Sequence, residues 1–274
     1  MTVLGLEVER RGPVGWVLLN DYQAGAEASL EDPDYLHPSP GMAAALAELE
    51  LDPAIRVVVV TGRHDGEFYR VCRRPHYDDP GNAGRLNPLK RAGGPAVRLS
   101  AMQVMALMGT PVIARMNGDA IGLGQAFLWG CDMIVAREDA VVADVHTGQG
   151  DVVDSAGEVR GFPWAVTPGD GAMSFAPRFL TPTKLKEYMF VSRTWTARQL
   201  ADMHVINYAV PADQLDVVLD EIVAKLLARP AAVLAHTKRV CNKHLVEQWN
   251  LTQDLASAHE LLDFWNHAAA GEMG

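Results

Sequence analysis

Pro111-Val-Ile-Ala-Arg-Met-Asn-Gly-Asp-Ala-Ile-Gly-Leu-Gly124, followed by Cys131-Asp-Met-Ile-Val-Ala-Arg-Glu-Asp-Ala140, is the stretch on which the fold turns. Val112 to Met116 is a short apolar run of strand length. Asn117-Gly118 reads as a turn after it. Ile121 to Gly130 reads as a helical run entered through Gly122 and Gly124, and Met133 to Ala136 as a further strand. Apolar strands separated by a helix imply a parallel sheet buried on both faces, hence an α/β domain. Upstream the pattern repeats. Met42 to Leu49 is an Ala/Leu-rich helix stopped before Asp52-Pro53. Arg56 to Thr61 holds the β-branched run Val57-Val58-Val59-Val60, and Ala96 to Met108 has apolar residues at helical spacing.

Further out, Leu4 to Glu9 and Val14 to Leu19 read as strands split by Arg11-Gly12-Pro13, with 20–40 and 62–87 as loops. Asp144 to Gly171 reads as a long loop, the kind that is functional when it sits inside a compact domain. Beyond it the chain reads as helical without a strand. Thr196-Ala-Arg-Gln199 there has the form of a capping box. The division expected is 1–195 as core and 196–274 as a helical region that packs on the core or on a neighbouring subunit. Leu251, Leu255, Leu261, Leu262, Phe264 and Trp265 are too many large apolar groups to leave in water.

The 274 residues carry 34 Asp and Glu against 24 Lys and Arg, a net charge of −10. Such a chain has no overall field to attract nucleic acid or an anionic membrane. Cys72, Cys131 and Cys241 match no metal spacing and no disulfide framework, which fits a reducing cytoplasm. No metal site is expected. The charged N-terminus lacks the form of a signal peptide, and the longest uncharged apolar stretch, Ala120 to Cys131, is too short to span a bilayer and contains Gln125.

The quoted stretch resembles the signature of the crotonase superfamily, the enoyl-CoA hydratases and isomerases. Trp16 to Asn20, Asp52 to Gly62, Thr196 to Val210 and Arg229 through Lys238 are similar to further segments of that family, so the resemblance covers nearly the whole chain. It implies a crotonase-like ββα spiral core with a helical C-terminal trimerisation region, in a homotrimer or a dimer of trimers. It also implies a small-molecule ligand, an acyl-CoA thioester. Coenzyme A would then enter as part of the substrate and no separate cofactor is called for.

The chemistry implied is enolate stabilisation by two backbone N–H groups. By resemblance one is that of Leu123, between Gly122 and Gly124, and the other that of Cys72. The family's two glutamates are absent, with Ala126 and His146 at their positions. His146 is instead the expected general base. The segment Pro168-Gly-Asp-Gly-Ala172, similar to one in 6-oxocamphor hydrolase, offers Asp170 as its orienting carboxylate. Asp144, two residues before His146, competes for that role. Glu260 resembles a pocket glutamate of the same diketone hydrolase. An insertion near 151–166 separates His146 from Asp170. Lys238 and Arg239 are candidates for a CoA phosphate. Two other readings stand beside the acyl-CoA enzyme. One is a CoA-independent retro-Claisen hydrolase of a cyclic β-diketone, and the other is a binding homologue without catalysis.

Overall fold

A computed structural model describes residues 2–3, 6–20, 38–70, 100–148, 152–162 and 164–272. A seven-stranded sheet and a four-stranded sheet share one spiral path. In the large sheet, β1 (Thr2–Val3), β2 (Leu6–Arg11) and β3 (Val14–Leu19) form an antiparallel meander at one edge. Beside it run β4 (Val57–Gly62), β6 (Val112–Met116), β8 (Met133–Arg137) and β13 (Tyr208–Val210), all parallel. The small sheet takes β5 (Gly66–Tyr69), β7 (Gly118–Ile121) and β9 (Val141–Ala143) in parallel, with β12 (Trp195–Thr196) antiparallel at its edge. Each turn thus leaves one strand in each sheet: β4 then β5, β6 then β7, β8 then β9.

The Val57–Val60 run explains the layering. Val58 and Val60 face the main core with Leu46, Met105 and Phe127, while Val57 and Val59 face Leu215, Leu219 and Ile222. Both faces of the sheet are covered, so the strand needs no polar side. The helices are α1 (Pro38–Leu51), α2 (Ala101–Leu107), α3 (Leu123–Gly130), α4 (Ala172–Phe175), α5 (Pro182–Phe190), α6 (Ala197–Asp202), α7 (Leu215–Leu227), α8 (Ala231–Cys241) and α9 (Lys243–Ala269). Thr196 and Gln199 form the expected capping box at α6. None of the described helices is long and apolar enough to cross a membrane.

Several expectations are corrected. The stretch 62–87 contains β5. Asn117-Gly118 does not turn the chain into a helix but steps it from β6 into β7, so Ile121 is a strand residue. The chain after 196 is not wholly helical, because β13 completes the large sheet. The 144–171 stretch folds a hairpin, β10 (Val152–Val153) and β11 (Val159–Arg160). Strands of two to four residues leave too little alternation for a pattern to register.

The hairpin is anchored by buried charge. Asp154 accepts from Arg160 Nε at 2.8 Å and from Arg70 at 3.0 Å. Asp119 of β7 accepts from Ser155 N and Oγ at 3.0 and 2.8 Å. Lys238 is also tied down, with Nζ 2.7 Å from Asp132 and donating to Thr110 O at 2.8 Å. It is therefore not free to meet a phosphate. In the C-terminal helix Phe264 packs with Trp164 and Val166, whereas Leu251, Leu255, Leu261, Leu262 and Trp265 lie exposed on the single chain.

Candidate active site

Where β9 ends, Asp144 and His146 leave the small sheet together. Asp144 Oδ1 accepts the His146 backbone N–H at 2.9 Å, a local turn that brings the carboxylate under the imidazole. His146 Nδ1 lies 3.1 Å from Asp144 Oδ2 and 3.2 Å from Oδ1. On its other side Asp144 accepts from Gln125 Nε2 at 3.0 Å, and Gln125 Oε1 accepts from Trp129 Nε1. Both residues are buried on α3, so the helix fixes the carboxylate that fixes the ring. A ring held at Nδ1 presents Nε2 as its other working atom. That atom lies 3.7 Å from Glu260 Oε1 on α9. Glycine at 169 makes room, because a Cβ there would stand 2.3 Å from Glu260 Oε2. Phe162, just past the hairpin, meets the imidazole edge-on at 5.3 Å between centroids.

The carboxylate within hydrogen-bond distance of His146 Nδ1 is Asp144. Proximity along the chain decides this, since the two-residue turn delivers Asp144 at once. Asp170 Oδ1 is engaged at the start of α4, accepting Ala172 N at 3.0 Å. It still acts on the centre electrostatically. Burial pulls the His146 pKa down, but Asp144, Asp170 and Glu260 outweigh it and raise it to about 10. Burial, aided by Asp144 and opposed by His146, raises Asp170 to about 6. Burial, opposed by His146 and aided by Asp170, raises Glu260 to about 7. Near neutrality the protonated imidazole is thus favoured, and burial pushes both Asp170 and Glu260 up towards the same range.

The glycine turn adjoins this cluster. Gly122 has φ +62°, a left-handed conformation suited to glycine, and its N–H donates to Ala143 O at 3.0 Å. Ala143 immediately precedes Asp144. Leu123 is the first residue of α3, so its N–H has no intrahelical acceptor, and the helix dipole adds to its donor strength. Gly124 admits the neighbouring strand, since a Cβ there would stand 2.0 Å from Tyr69 O. Cys72 lies outside the described residues.

Of the expected site residues, Asp144 and Glu260 flank the His146 ring, Asp170 acts on it through its charge, and Gly122 is hydrogen-bonded to Ala143 beside them. Sequence reasoning missed Gln125 as the link to Asp144, although a lone amide in an apolar helical run was the signal. Tyr188 of α5 is buried, and its hydroxyl has no hydrogen-bond partner among the described residues.

A family description, enoyl-CoA hydratase/isomerase, matches residues 39–270. A crotonyl-CoA hydratase of Syntrophomonas wolfei is 22% identical over 199 residues, 73% of this chain and 68% of that protein. A short-chain-enoyl-CoA hydratase of Clostridium acetobutylicum is 21% identical over 239 residues, 86% and 80% of the two chains. The crystal structure of an enoyl-CoA hydratase/isomerase from Mycobacterium paratuberculosis superposes with a TM-score of 0.72 at 22% identity, covering 95% of this chain and 94% of that one.

Proposed function

Given that the chain belongs to the enoyl-CoA hydratase/isomerase family, we propose that it is an acyl-CoA enzyme working through the Asp144–His146–Glu260 group. In this reading the thioester oxygen accepts from Leu123 N–H, with Cys72 N–H as the second donor. For hydration, Glu260 takes a proton from water as the water oxygen bonds to the β-carbon. The π electrons move to the thioester oxygen, and the enolate forms at the N–H donors. The α-carbon then takes the proton held on His146 Nε2, and the proton on Glu260 returns to the imidazole. Isomerisation needs only that Glu260 carry one proton between carbons. Asp144 stabilises the imidazolium, and Asp170 adds negative charge that keeps it protonated.

The observation that carries this reading is the hydrogen bond from Gly122 N to Ala143 O. It holds the Leu123 turn against the strand end bearing Asp144 and His146. A hydrogen-bonded donor turn beside a proton-transfer pair is what enolate chemistry requires.

A second reading, hydrolysis of a C–C bond in a cyclic β-diketone without CoA, draws on Asp170 in Pro168–Ala172 and uses the same centre. Calorimetric binding and turnover of crotonyl-CoA and of a bicyclic β-diketone separate the two. Crotonyl-CoA should bind and turn over. Glu260→Gln and His146→Gln should each lower kcat by about a hundredfold or more, the scale of a lost general acid–base group. Turnover of the diketone alone would favour the second reading, and binding of either compound without turnover a non-catalytic homologue.

A further inference from the structure

Gln125 and Trp129 stand one turn apart on α3, and both are 0% exposed. A buried amide and a buried indole need partners. Trp129 Nε1 donates to Gln125 Oε1, and Gln125 Nε2 donates to Asp144 Oδ2 at 3.0 Å. The indole nitrogen can only donate. It therefore fixes which end of the Gln125 amide faces it and which end faces Asp144. Turned over, the amide would set its N–H groups against the indole N–H and its oxygen against the Asp144 carboxylate. The indole is held in place, because its ring stacks on Phe179 with centroids 5.4 Å apart and planes 26° from parallel.

Asp144 thus receives a fixed donor on each oxygen, the Gln125 amide on Oδ2 and the His146 backbone N–H on Oδ1. What it offers the imidazole is acceptor lone pairs, so Nδ1, 3.1 and 3.2 Å away, is the ring atom that carries hydrogen towards it. Nε2 faces Glu260 instead, at 3.7 Å. We propose that Trp129 is a positioning residue for proton transfer, acting through Gln125 and Asp144. Its N–H sets the Gln125 amide, the amide seats Asp144, and Asp144 keeps hydrogen on Nδ1, so that Nε2 is the nitrogen that gives and takes a proton. This deepens the acid–base role proposed above and rests on it. The competing account is that Trp129 and Gln125 only satisfy each other inside the core, which would make them matter to stability alone.

The test follows the Nδ1 proton by nuclear magnetic resonance in protein carrying isotope-labelled histidine, without substrate, with His146→Gln identifying the signal. The wild type should show a low-field Nδ1 proton that exchanges slowly with water. Trp129→Phe keeps an aromatic ring against Phe179 and removes the N–H. Gln125→Met keeps the length of the side chain and removes the amide. Both should lose the low-field proton. The ring should also titrate at a lower pH than in the wild type, since a loosely held Asp144 offsets burial less while Asp170 and Glu260 are unchanged. The kcat for crotonyl-CoA should fall by up to about a hundredfold with KM little changed, the scale of a misplaced catalytic group. Should Trp129→Phe fail to fold, Gln125→Met decides alone. A low-field proton and a titration identical to wild type in the folded variants, with only Tm lowered, would overturn the proposal. So would a wild-type ring with no hydrogen on Nδ1. Loss of the proton in both variants of a protein that turns over no thioester would uphold the hydrogen-bond chain and overturn the acyl-CoA reading alone.

Discussion

At Glu260 the burial that raises the carboxyl also biases the folding equilibrium. Its pKa rises from 4.5 to about 7, so the native state binds a proton more tightly than the unfolded chain does. The resulting stability is fully present below pH 4.5 and is lost as pH climbs through about 7. Urea unfolding of Glu260→Gln against wild type should therefore show the variant gaining, relative to wild type, between pH 4.5 and 7. A difference that stays flat would put Glu260 in solvent. Kinetics give the mirror image. The kcat/KM of the wild type should rise with pH through about 7 as the carboxylate forms, and Glu260→Gln should lose that limb. Part of this centre was legible: His146 stands at one of the two positions where the family's glutamates are missing, and Glu260 resembles a pocket glutamate of the diketone hydrolase. The division of labour between Asp144 and Asp170 was not. Both are acids near one imidazole in sequence or motif, and only the turn at Asp144 shows which one reaches Nδ1.

Among the elements, the hairpin of β10 and β11 is the one whose attachment is easiest to break. The Asp154 carboxylate is wholly buried between Arg70 and Arg160, which themselves are largely covered. Asp154→Ala removes one acceptor from Arg70, which keeps Glu67, and one from Arg160, which keeps Glu158, and should cost about 1–3 kcal/mol. Amide exchange should accelerate across residues 152–160, and an unchanged exchange pattern would show the hairpin held by its apolar contacts alone. The junction of β5 with α3 has a sharper limit. Gly124→Ala must push Tyr69 O away from 2.0 Å, so either the strand or the helix start moves. The expected result is a lowered Tm together with a loss of turnover larger than the Tm change explains. Long elements such as β4, α2 and α7 could be read directly from runs and periodicity. The short strands β5, β7, β9 and β12 could not, because their identity comes from pairing with partners far along the chain.

For the whole molecule, the exposed residues Leu251, Leu255, Leu261, Leu262 and Trp265 form an apolar surface on α9 that a lone chain would leave in water. With the family's habit of association, this leads us to propose a homotrimer or a dimer of trimers. Light scattering at micromolar concentration should return a trimer or hexamer mass, and Trp265→Glu with Leu262→Glu should shift it towards the monomer. A monomer mass for the wild type would reject the assembly. The same helix, α9, brings Glu260 to a centre whose other members come from β9 and the start of α4. It is held there by Gln253 on Gly169 O, by Asp263 on Thr167 and by Trp249 against Phe175. Contacts so distant along the chain pay loop-closure entropy before they return any energy, and they form slowly. The spiral can reach native secondary structure while Glu260 is still undocked. After dilution from denaturant, the far-ultraviolet circular dichroism should therefore recover first and turnover later. The lag would be the time the last helix takes to find its seat.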